Sequence, residues 1–377
     1  MGNKLSGFLF GLLAAWSIST GSLAEEAEIK GTMQDAAHAL SSLMPYIYND
    51  QAFRTLTNKG EIEQNIDKLI SITRHTPGLL ADHAVTMLIS KQSLLNTLEQ
   101  AKSLYRSGSY STAQYLLSGV PMVCSSCHIQ DGKPSNLKLH LDRSLFANDF
   151  SYAEFNYYLR NYHQAKAAYE AHLNQTEIQR SRIQSRKTLE RLLDINLLTS
   201  ANTTQATEQL KQARALPNLN NDAQEAVLSW LTGLETLSLT PPELNSLEQS
   251  IYSTFNEQFT LEHEFIFNEE NRPKALLWRK QLHQLLKRPL KKQDTARALY
   301  LISILERTLG DQSDASLANL YLEECIRLQV RVYSLKCMNE FENHLYFYYG
   351  GSSGEHLPDA AHEQLQTLKR RLGEGDW

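Results

Sequence analysis

Apolar side chains recur at helical spacing along nearly the whole chain. Met33, Ala37, Leu40 and Met44 repeat every three or four residues and predict a first helix from about Ile29 to Tyr48. Ile62, Ile66, Leu69 and Ile70 mark a second, near Glu61 to Thr73. A third begins after Pro77-Gly78 and carries Ala84, Met87, Leu88, Leu95, Leu98 and Leu104 until Ser107-Gly108-Ser109 breaks it. A fourth starts near Tyr110 with Ala113, Leu116, Leu117 and Val120. Connections this short imply antiparallel neighbours, an up-down bundle. Strand-like alternation is scarce, so the expected fold class is all-α.

Asp131-Gly132-Lys133-Pro134-Ser135 is polar and turn-forming, and predicts a boundary between a first domain, 25–135, and a second, 136–377. Helical spacing resumes beyond it. Asn221-Asp222 is placed to cap a helix holding Val227, Trp230, Leu231 and Leu234. Thr240-Pro241-Pro242-Glu243 has the spacing of a capping box with proline in the first turn. Gly310 ends one helix and Asp314 can start the next, while Gly350-Gly351-Ser352-Ser353-Gly354 reads as a flexible stop before a last helix.

The N-terminus changes the picture. Lys4, an apolar run from Leu5 to about Ile18, and Ser22-Leu23-Ala24 before Glu25-Glu26 have the pattern of a secretory signal peptide over 1–24. The run is interrupted by glycine and serine and is shorter than the ~20 apolar residues that span a bilayer, so no stable membrane span is expected after cleavage. The formal charge of −5 becomes −6 when Lys4 is lost, which gives no footprint for nucleic acid.

Candidate chemistry centres on Cys124-Ser-Ser-Cys127-His128. Two thiols separated by two residues and followed by an imidazole form the c-type haem attachment signature. Each cysteine adds to one porphyrin vinyl group, and the histidine is held beneath the iron. On a helix, three residues of rise set the sulfurs about 4.5 Å apart along the axis, within reach of one porphyrin edge. A thioredoxin-like pair requires a βαβ context that the flanking sequence lacks. A zinc site requires two further ligands at short spacing, and the other cysteines lie far downstream. The expected cofactor is a single covalent haem c, on a protein exported to a Gram-negative-type periplasm and loaded by the cytochrome c maturation machinery.

With these residues, the stretch "LLNTLEQAKSLYRSGSYSTAQYLLSGVPMVCSSCH" resembles the cytochrome c-prime family, including its low-spin members, over roughly residues 25–130. The resemblance implies a four-helix bundle with covalent haem, Cys124 and Cys127 as thioether cysteines and His128 as proximal ligand. In low-spin members a methionine on the first helix closes the sixth position, and Met33 stands where that methionine is expected. The alternative is that Met33, like Met44 and Met87, fills core space. His38, His75 and His83 are read as ordinary histidines. The chain departs from the family at Gly132, where a basic residue is usual, and at Pro121, which is expected to kink the last helix.

In the second half, "AEFNYYLRNYHQAKAAYEAHL" resembles one tetratricopeptide repeat, with Ala153 on the first helix and Tyr162, Ala165, Tyr169 and Leu173 on the second. A poorer copy has Ala206, Leu210, Ala213 and Pro217; Ala165 to Ala206 is 41 residues, against a family period of about 34. The resemblance implies a curved stack of helix pairs that offers a surface to a protein partner. Arg272 to Lys292 carries eight cations around a leucine stripe, and reads either as a docking face or as a solvated helix face. Glu262-His263-Glu264 is assigned nothing, because adjacent residues face different ways on a helix. Cys325 and Cys337 are a possible disulfide. Unbroken helix would hold their Cα atoms about 18 Å apart, beyond the ~7 Å that a bridge spans, so pairing requires a turn near Gln329 to Ser334. The alternative is two unrelated buried thiols.

The leading functional expectation is a periplasmic monohaem cytochrome that carries single electrons, its helical-repeat half holding a redox protein partner. It is more an electron carrier than a catalyst. The alternatives are a haem protein that binds or senses nitric oxide or carbon monoxide, and an exported helical scaffold in which haem is structural.

Overall fold

A computed structural model describes residues 20–75, 85–121, 123, 139, 141–175, 182–199, 203–217, 219–238, 243–255, 268–309, 315–351, 354–355 and 357–373. Among the described residues the chain is helical throughout, apart from short connections and one two-residue antiparallel pairing. That pairing joins β1 (Gly350–Gly351) to β2 (Gly354–Glu355), so a tight hairpin stands where the glycine-rich pattern predicted only a flexible stop.

The first five helices are α1 (Thr20–Ile47), α2 (Asp50–Arg54), α3 (Lys59–His75), α4 (Val85–Arg106) and α5 (Tyr110–Ser118). α1 begins upstream of Ile29 and passes through the predicted cleavage region. Polar ties set the helix directions. Tyr46 donates to Glu61 at 2.7 Å and Lys68 pairs with Asp35 at 3.5 Å, so α1 and α3 are antiparallel. Arg106 meets Glu63 at 3.1 Å and Arg74 meets Glu99, which makes α4 antiparallel to α3. Gly108 turns the chain back into α5 at φ 85°, a left-handed conformation that costs other residues about 1 kcal/mol or more. These four long helices therefore alternate in direction around Leu40, Leu43, Met44, Ile62, Ile66, Leu98, Ala101, Ala113 and Leu117, all buried. α2 lies over one end, where Phe53 packs edge-on against Tyr105 at 4.9 Å.

The second half contains α6 (Asp149–Tyr158), α7 (Tyr162–Leu173), α8 (Arg182–Thr199), α9 (Thr203–Arg214), α10 (Asn221–Glu235) and α11 (Leu244–Phe255). It continues with α12 (Arg272–Leu286), α13 (Lys292–Leu309), α14 (Ala315–Arg327), α15 (Arg331–Tyr349) and α16 (Asp359–Gly373). Most of these helices lie against their neighbour in sequence, and α6, α8 and α10 each also touch the next but one. Ala153, Ala165 and Tyr169 are fully buried where α6 meets α7, and Ala206, Leu210 and Ala213 are buried along α9. The cap of α10 is Asn220, one residue before the predicted position; its side chain accepts from the Ala223 amide at 3.0 Å. α14 and α15 are joined by a turn with Gln329 at φ 51°, which brings the Cα atoms of Cys325 and Cys337 to 6.3 Å and closes a disulfide between them.

Two hydrophobic cores share two helices. On α6, Ala153, Tyr157 and Tyr158 pack into the second core, while Phe155, with Leu159 just beyond the helix end, packs into the first. On α4, Leu98, Ala101 and Tyr105 belong to the first core and Ile89 to the second, where α4 lies against α14. The expected boundary at 135 falls outside the described residues, but Phe146, downstream of it, is buried in the first core.

Candidate functional site

Cys124, Cys127 and His128 lie outside the described residues. What the structure positions is the approach to them. α5 buries Ala113 and Leu117, and Val120 beyond it, against α1 and α4. It stops at Gly119, whose amide closes on the Leu116 carbonyl at 3.2 Å, and helical conformation resumes at Val120, Pro121 and Val123, so the break in the helix falls just ahead of Pro121. Gln114 on α5 donates to the carbonyl of Ile47, the last residue of α1, at 2.6 Å. This contact ties the start of α5 to the end of α1, with the two helices running in opposite directions.

Met33 is half-buried on α1. It continues the stripe of Ala37, Leu40 and Met44, about 10 Å along the axis from Leu40. Met44 is fully buried, a core side chain in the sense expected of it, and the side chain of Met87 lies outside the described residues. His38 is exposed. His75 is exposed and bonds the Ser71 carbonyl through Nδ1 at 2.8 Å; His83 lies outside the described residues. Among the described residues no group of three or more His, Cys, Asp or Glu side chains is arranged to hold a metal ion.

No family model, curated protein or solved structure matches the chain. The site is therefore read from its own residues.

The basic stretch on α12 is largely turned inward. Arg272 pairs with Glu190 at 3.3 Å and Glu269 at 3.1 Å, and Arg279 with Asp194 at 3.7 Å and Glu306 at 3.5 Å. Lys280 donates to the Leu197 and Leu198 carbonyls at 2.9 and 2.7 Å, satisfying the last turn of α8; burial holds its pKa below the ordinary lysine range. Lys287, Arg288, Lys291 and Lys292 remain exposed, around the turn into α13. Glu262, His263 and Glu264 lie outside the described residues.

Sequence patterns missed a buried polar system that links α6, α7, α8, α12 and α13. Tyr169 donates to Glu154, and Tyr157 to Asp194. Arg191 donates to Glu154 at 3.2 Å and lies 4.4 Å from the Tyr157 ring centroid. Arg279 carries the chain on to Glu306, which His283 also meets at 3.2 Å. Burial alone would raise the Glu306 carboxyl; Arg279 and His283 reverse that and hold it below the ordinary glutamate range. Burial and the adjacent carboxylates push Tyr157 and Tyr169 well above the ordinary tyrosine range, so both stay neutral donors. The signal was present at Asp194, a lone acid in a stretch, Leu192 to Leu198, whose other residues are leucine and isoleucine apart from Asn196. An acid there requires a cation from another helix.

A second ionic cluster fixes α10. Arg186 meets Asp222 at 2.9 Å and Glu269 at 2.6 Å, and the Trp230 indole donates to Glu269 at 2.8 Å. Gly233 allows this approach, because a Cβ there would sit 2.0 Å from the Glu270 carbonyl oxygen.

Proposed function

We propose that the chain is an exported monohaem c-type cytochrome that carries single electrons, with the helical-repeat half serving to hold its redox protein partner. Cys124 and Cys127 supply the two thioether sulfurs of a four-helix, cytochrome c-prime-like bundle, and His128 supplies the proximal nitrogen. Bound there, haem supplies an iron centre that accepts and returns one electron.

The observation that carries this reading is the Cys124-Ser-Ser-Cys127-His128 motif, which follows α5, a helix packed against α1 and α4 in the first core. Met33 continues the core stripe of Ala37, Leu40 and Met44 on α1, which suits a thioether sulfur serving as sixth ligand. With haem bound, His128 and Met33 together would hold the iron with two protein ligands, which would favour electron exchange over ligand uptake.

The test is expression of the full chain in a host with working cytochrome c maturation. The expected product is red, carries the mass of one haem, and shows low-spin bands that carbon monoxide does not shift. A high-spin ferrous form that takes up carbon monoxide would assign the gas-binding reading instead. A colourless protein of unmodified mass would leave only a helical scaffold.

A further inference from the structure

A groove of about 430 Å³ opens between α11, α13 and α15, lined by Tyr252, Tyr300, Lys336, Asn339 and Glu340. Its size falls in the range of small-molecule sites. The Lys336 ammonium is held 5.0 Å from the Tyr252 ring centroid, 5.7 Å from that of Tyr300 and 5.4 Å from that of Tyr333. Three aromatic faces fix the cation in position. It donates one hydrogen bond, to the Tyr252 hydroxyl at 2.9 Å.

The neighbouring carboxylates are committed elsewhere. Glu340 is paired with Arg307 at 3.1 Å, and Glu248 with Arg297 at 3.0 Å. The Tyr252 and Tyr300 rings lie with centroids 6.4 Å apart, and burial raises both above the ordinary tyrosine range, so neither ionises to balance the lysine. Among the described residues, Lys336 is therefore a half-buried cation with two N–H groups in hand and no carboxylate partner. The exposed Asn339 amide stands one helical turn away on the same face.

We propose that this groove binds a small aromatic carboxylate, with its anionic end on Lys336 and Asn339 and its ring against the walls formed by Tyr252 and Tyr300. A neutral aromatic leaves the ammonium uncompensated, and an aromatic cation is repelled by it. This site is independent of the haem reading and is tested without reference to it.

The probe is benzoate, titrated calorimetrically into the full chain, with benzyl alcohol and benzylammonium as controls. Benzoate is expected to bind at about millimolar strength, as suits so small a ligand. The controls are expected to show no saturable heat. Lys336→Met and Asn339→Asp are each expected to weaken benzoate at least tenfold. Asn339 is exposed, so Asn339→Asp keeps the fold even if the cage variant does not, and circular dichroism monitors both. Absence of benzoate binding, benzyl alcohol binding of equal strength, or unchanged benzoate affinity in Asn339→Asp would each overturn the proposal.

Discussion

Met33 and His344 show how much a single position can carry. If Met33 is the sixth ligand, Met33→Ala converts a low-spin spectrum into a high-spin one that takes up carbon monoxide; an unchanged spectrum removes it from that role. His344 is buried, and its Nδ1 meets the Asn319 side-chain oxygen at 2.6 Å. Burial, together with the positive charge of Arg307, lowers its pKa to about 4 from the usual 6.5. The fold holds the neutral ring, so the unfolded chain takes up the proton first as pH falls. The associated stability is whole above pH 6.5 and declines toward pH 4, by up to about 3 kcal/mol. Denaturant midpoints measured across that range should fall more steeply for the parent protein than for His344→Gln. The Met33, Leu40 and Met44 stripe was legible in the sequence because a core face writes itself into the spacing of apolar residues. Arg191 and Asp194 were not, because periodicity states that a residue is buried and not which partner it meets there.

At the scale of elements, the four long helices of the first half were written in their apolar spacing and in the turn at Gly108. α2 was not. Its five residues are too few to show a period, and Asn49 fixes its start with a side-chain bond to the Ala52 amide at 3.0 Å. The hairpin of α14 and α15 is closed by Cys325 and Cys337, 12 residues apart. No glycine or proline marks that turn, and Gln329 adopts the left-handed conformation in their place. Ser334 stabilises it by accepting from the Val330 amide at 2.9 Å and donating to the Cys325 carbonyl at 3.0 Å. A loop of this length restricts the unfolded chain enough to contribute about 3 kcal/mol. Replacing both cysteines by alanine should lower the unfolding free energy by about that amount, and reductant should then have no further effect on the midpoint. A cost near zero would show that the α14–α15 contacts suffice alone.

For the whole molecule, the sequence marked a boundary where the turn-forming residues cluster, near 135. Turn chemistry reports where a chain bends and is silent about which core its later side chains enter. Phe146, Phe155 and Leu159 lie beyond that point and are buried with the first five helices. Losing a buried phenylalanine costs roughly 3–5 kcal/mol, and a small domain has only about 5–15 kcal/mol in all. A fragment of residues 25–135 is therefore expected to lack a cooperative unfolding transition, in circular dichroism and in tyrosine fluorescence alike. The full chain should lose both cores in a single step. A fragment that melts at the same midpoint as the full chain would show that the halves are independent.

From Ala153 to Tyr158 six consecutive side chains are buried, an arrangement that leaves this part of α6 no outward surface. Such a segment has scarcely any room for neutral drift. Enlarging Phe155 or trimming Tyr157 would be felt in a different half of the protein each time, so compensating changes along this helix should accumulate on both sides of it during evolution.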